Sequence, residues 1–179
     1  MERENDDRKE IYQRLKYHFQ FKNELVLFAE VHHETIYGIH IYSGENSDVN
    51  FQSISNLFHP ATIDGSFIHN GQESVGGFKI KNENTGKMEW NVQAHQHRIV
   101  EINEEVLKVL AKTFENSDEW QGAKLVSIHA QEIVDVIKKI GTFPNSAENI
   151  ETKILECWHE TNDVNAGNIQ RETRYPNID

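Results

Sequence analysis

Cysteine is almost missing from the chain, and that is informative. A single residue, Cys157, rules out any disulfide within the chain and any four-cysteine zinc knuckle, and it fits a reducing compartment. Long apolar runs are missing too: none approaches the roughly 20 residues that a membrane-spanning helix needs. The opening "MERENDDRKE" is charged and lacks the apolar stretch of a secretory signal, so a soluble, cytoplasmic protein is expected. Bases are scarce, at 18 Lys and Arg against 29 Asp and Glu, and they form no cluster. Direct nucleic-acid binding, which relies on clustered cations, is therefore not expected. There is no internal repeat, no low-complexity tract and no glycine-rich phosphate loop; Gly76-Gly77 reads as a bend in a strand.

What is present is a 179-residue chain with its bulky apolar residues in periodic clusters, enough for one core. Residues 5–21 place Ile11, Leu15 and His18/Phe19 at helical spacing, behind Asp6 and Asp7, which suit a helix N-terminus. "ELVLFAEVHHETIYGIHIYSG" reads as a hairpin with His33 and Glu34 at its tip. "VNFQSISNLFHP" reads as a short strand or a turn of helix. Asn70-Gly71 and "NENTG" punctuate a meander of strands at 66–69, 73–82 and 87–96. From Asn103, a plausible N-cap, the period becomes helical. A strand "AKLVSIHA", a helix closed by Gly141 and a helix opening at Asn145/Glu148 follow. The expected fold is α+β: a mainly antiparallel sheet of five to six strands, with an N-terminal helix and two to three C-terminal helices. One domain would span 1–161 and a polar tail 162–179.

Ten histidines supply most of the candidate chemistry. His95 and His97 alternate along a strand and Glu101 follows four residues later. This His-x-His-x-x-x-Glu spacing resembles the first metal motif of the cupin barrels, which implies a divalent metal such as zinc. The match covers seven residues. A helix begins near Asn103 where cupins continue in strands, the nearest upstream glycine is Gly86, and no second histidine motif follows. With Glu30 the same pair resembles the JAMM-type metallopeptidases, without their following serine and aspartate. His-Glu-Thr occurs at 33–35 and again at 159–161, a pattern similar to the two-histidine phosphoesterases, whose histidines act as acid and base. His59, Asp64 and His69 lie close enough in sequence for acid–base work, or for capping backbone carbonyls in a loop. Cys157 has acidic neighbours that oppose a reactive thiolate.

Against these partial motifs stands the net charge of −11. It can serve solubility alone, or steer association with a basic partner. Trp120, set among Glu115, Asp118 and Glu119, has the composition of an interface anchor in an acidic loop. The opening helix-then-hairpin layout is similar to small bacterial immunity proteins. The sequence reading is thus a non-catalytic binding protein for a basic protein such as a toxin or nuclease: an immunity protein, antitoxin or phage-type inhibitor. The alternative is a small hydrolase using His59, His69, His95 and His97 with Glu101, metal-dependent or acid–base.

Overall fold

The structure, a computed structural model, describes residues 2–44, 48–143 and 159–170. It is α+β. The chain divides into two compact units, Met1–Phe143 and Pro144–Asp179. The first holds helix α1 (Glu2–Arg14) and strands β1 (Leu15–Lys22), β2 (Ile36–Tyr42) and β3 (Asn50–Leu57). Helix α2 (Ala61–Ile68), strands β4 (Lys79–Lys81), β5 (Met88–Trp90) and β6 (Val100–Asn103), and helices α3 (Glu104–Leu110) and α4 (Gln131–Gly141) complete it. In the second unit the described residues form one short helix, α5 (Glu160–Asn165). The expected helix at Asn145/Glu148 and Cys157 lie outside the described residues.

The main sheet runs β2-β1-β3-β6, antiparallel at both outer pairs and parallel between β1 and β3. β4 and β5 form a separate two-stranded ribbon. The expected first helix therefore stops early. Leu15 and Phe19 satisfy helical spacing, but Tyr17, Phe19 and Phe21 alternate, a bulge turns Leu15 to the other face, and "LKYHFQFK" is rich in residues that suit a pleated surface. The sheet wins at Leu15.

The hairpin is real but its first arm is β1, not residues 24–31. That stretch is the connection, tied down by Asn23, which is completely buried. Its Nδ2 donates to the Phe28 and Val31 carbonyls (2.9 and 2.8 Å), and its Oδ1 accepts from the Phe28 amide (3.1 Å). Such closure leaves β-branched Val26 in the left-handed region, at φ 53°. Two other expectations are corrected. Residues 66–69 end helix α2 rather than start a meander, and "AKLVSIHA" belongs to no strand. Its segment packs as extended chain, with Ala123, Ile128 and Ala130 buried.

Each face of the sheet has its own core. One gathers Tyr12 and Leu15, Phe51, Val100 and Ile102, and the inner residues of α3 and α4. Here Tyr12 stacks near Phe51 and donates its hydroxyl to the Ala123 carbonyl (2.7 Å). The other gathers Phe19, Phe21, Ile54 and Leu57, with Ile63 of α2 against them. Asn103 caps α3, accepting from the Val106 amide (3.0 Å), and α3 widens into a π-turn at Ala111–Glu115 that Asn116 ends in left-handed conformation. No helix among the described residues is long and apolar enough to cross a membrane.

Candidate functional site

Three of the singled-out histidines meet in a row. His95 caps the 3₁₀ turn Gln96–Arg98, with His69 and His97 on either side at ring separations of 4.3 and 5.0 Å. His97 Nδ1 bonds the Glu132 carboxylate. Burial opposes that carboxylate's charge, but its own backbone amide and His97 outweigh it and hold the carboxyl below its ordinary range. His95 itself is committed: Nδ1 accepts from the His97 amide (3.1 Å), so Nε2 carries the proton and donates to the Gln72 carbonyl (3.1 Å). With both nitrogens used, it cannot ligate a metal while the turn stands.

Glu101 does not join the row. Its carboxylate accepts from Gln52 across the β3–β6 ladder (3.0 Å). His59 stands before α2 and His69 directly after it, with roughly 12 Å of helix between. Among the described residues no three His, Cys, Asp or Glu side chains are grouped to hold a metal ion.

Half of the ten histidines build turns. His32, His59, His69, His95 and His159 each turn Nδ1 toward a backbone amide two or three residues ahead, at 3.0–3.3 Å. This is the job usually done by Asn, Asp or Ser side chains. The sequence suggested caps on carbonyls; the bonds instead satisfy N–H groups. The two His-Glu-Thr copies fall in different units, His33 paired with Glu24 (3.3 Å) and His159 capping α5.

Two arrangements escaped the sequence reading. Across the sheet, His18 stacks on His40 (5.0 Å) and bonds Ser53 Oγ (3.0 Å), beside a cleft of about 370 Å³ lined by Ile11, Tyr12, Leu15 and Leu125. A serine–histidine contact invites a nucleophilic reading. However, Ser53 is buried, the third ring is a histidine rather than a carboxylate, and burial with the help of His40 pushes His18 down to about 4. That makes it a weak base at neutral pH. The second arrangement is Arg98, completely buried. One nitrogen reaches the Ser55 and Asn56 carbonyls (2.9 and 3.0 Å), while Nε and Nη1 have no partner among the described residues. Buried His129 interacts with it electrostatically, meets Phe78 edge-on and makes no well-formed hydrogen bond among the described residues, the Gly76 backbone exerting only a weak pull on its ring. Burial, then the Arg98 charge, pushes His129 down to about 4.

The acidic residues gather beside the start of α3. A cleft of about 450 Å³ is lined by Asp48, Val49, Asn50, Asn103, Glu104, Glu105 and Lys108. Both glutamates already meet a lysine: Lys108, the one cation lining the cleft among the described residues, bonds Glu104 (2.5 Å) and lies 5.6 Å from the Trp120 ring, and Lys138 bonds Glu105 (3.0 Å). Trp120 is partly buried against the main core. In its loop, Asp118 lies 3.8 Å from Lys112, Glu115 accepts from the Lys124 amide (3.2 Å), and the Glu119 amide donates to Ser117. Compared with protein-family models, curated proteins and solved structures, the chain matches none of them.

Proposed function

We propose that the protein is a non-catalytic, cytoplasmic binding protein that neutralises a basic protein partner, in the manner of an immunity protein, antitoxin or phage-type inhibitor. The acidic cleft carries this reading: Asp48, Glu104 and Glu105 line it together with the apolar Val49, and a partner's basic side chain would compete there with Lys108 and Lys138. An arginine or lysine from the partner would lay its methylenes on Val49 and its charge among the carboxylates. Trp120, reached through Lys108, supplies an aromatic rim. The net charge of −11 would speed encounter with a cationic surface.

The test is calorimetric titration with an arginine-rich peptide against wild type and a Glu104→Gln/Glu105→Gln variant. Binding should weaken as ionic strength rises and fall at least about tenfold in the variant. Equal binding by both proteins would remove the cleft from the account. The hydrolase alternative is favoured by one observation, the His97–Glu132 pair beside His69 and His95. It demands stoichiometric metal in the purified protein or turnover of a chromogenic phosphodiester that His97→Gln abolishes.

A further inference from the structure

We infer that β2 is a dimer interface, through which a second copy of this chain continues the main sheet. β2 is its outer strand, and among the described residues it pairs with β1 alone. Exposed strand edges are ordinarily blunted by charge, proline, a bulge or brevity. From Ile36 to Tyr42 there is no charged residue and no proline, and pairing with β1 is regular from Ile36 to Ile41. Ile36, Ile39, Ile41 and Tyr42 are nonetheless 44–59% exposed. The opposite edge, β6, is only four residues long and leads straight into α3.

The occupant follows from the sequence of the strand, "IYGIHIY", which places isoleucine and tyrosine at matching distances of two and three residues on either side of Ile39. Antiparallel pairing of two copies around that residue sets Ile36 opposite Tyr42, Tyr37 opposite Ile41, and Ile39 opposite itself. One face of the seam then sets Tyr37 against Ile41 on both sides of an Ile39–Ile39 pair, a favourable cross-strand combination, and the other carries Ile36 against Tyr42. On that second face Gly38 lies opposite His40. Within one chain the His40 ring already leans over Gly38, where an added Cβ would come within 2.9 Å of Nε2. The missing side chain thus makes room for imidazoles on both sides of the two-fold axis.

The β1–β2 connection enlarges the contact. Leu25, Val26, Leu27, Phe28 and Val31 are 38–52% exposed, and Phe28 touches Tyr37 edge-on, joining the loop to the strand. With the four β2 residues above, these half-exposed side chains offer on the order of 800 Å² per copy, what each partner of a standard interface buries. A two-fold contact of this kind closes on itself and leaves no free β2 edge.

Charge gives the contact a signature. Each copy carries −11 while the β2 seam carries none, so salt should strengthen the dimer by screening repulsion. The acidic-cleft contact should weaken under the same change, so the two readings fail separately. The experiment is sedimentation or light scattering of the 179-residue chain across protein concentration at low and high salt. The expected species has twice the 20.8 kDa chain mass. Ile39→Lys, which opposes two ammonium groups at the axis, should weaken it on the order of 100-fold. Ile140→Lys on α4, at a site 59% exposed, controls for lost surface apolarity and should leave the dimer intact. Circular dichroism should show both variants folded, since both sites are exposed. A wild-type chain that stays at 20.8 kDa overturns the inference, as does a dimer that Ile39→Lys leaves unchanged.

Discussion

Acid should destabilise this protein through two histidines that folding keeps neutral. His18 and His129 are held near 4 against an ordinary 6.5, each chiefly by burial. Between those values the unfolded chain binds protons that the folded chain refuses, so stability falls as pH drops. It is whole above 6.5 and fully forfeited once pH has passed 4. A drop from 6.5 to about 4 corresponds to roughly 3 kcal/mol for one histidine. His18 is partly exposed, which reduces its share, and about 3–5 kcal/mol for the pair is a fair expectation against total stabilities of about 5–15. Near pH 5 the slope should lie at about 1.5–2.5 kcal/mol per pH unit, below the about 2.7 of two full protons. Glu132, held below its ordinary range, adds its loss only at the acid end, so pH 5–6.5 isolates the histidines. His129→Phe keeps a ring against Phe78 and removes two buried nitrogens that lack a well-formed hydrogen bond among the described residues, along with one titration. Urea unfolding followed by tryptophan fluorescence should show that slope halved in the variant and its stability at pH 7 raised. A wild-type curve flat from pH 6.5 to 5, or a slope that His129→Phe leaves unchanged, would refute the reasoning.

Three further outcomes are expected in the same urea assay. Asn23→Ala strips three hydrogen bonds from a completely buried position and should cost about 2–4 kcal/mol, with faster proteolysis of residues 24–35 as an independent sign. Val26→Gly relieves a β-branched residue at φ 53° and should stabilise by up to about 1 kcal/mol; a loss would mean that Val26 packing outweighs its backbone strain. Gly65→Ala should destabilise by about 1–3 kcal/mol despite alanine's better helix propensity, because its Cβ would fall 2.5 Å from that of Ala94.

The fold class was legible because the second half of the chain changes period where it changes structure: Asn103 caps α3 and Gly141 ends α4, as their positions imply. The first half misled for a definite reason. Leu15 and Phe19 fit a helix and a strand equally, and only Tyr17 and Phe21 break the tie. The apolar run 24–31 has strand composition, but Asn23 folds it into a loop through bonds that no periodicity reveals. Among site residues, the nearness of His95 and His97 follows from spacing alone. His69 and Glu132 reach them across 26 and 35 positions, which local patterns do not register. Arg98 gave no warning, since arginine between His97 and Ile99 reads as surface and its burial is decided by the carbonyls of Ser55 and Asn56.

The placement of β1 between β2 and β3 has a consequence for synthesis. The hairpin of β1 and β2 is complete once residue 42 has emerged, but the parallel neighbour of β1 is not finished until residue 57. At translation speeds of about 5–20 residues per second, β1 spends on the order of a second with its inner flank bare. A nascent chain in that interval is most exposed to mispairing on the side that the mature sheet hides.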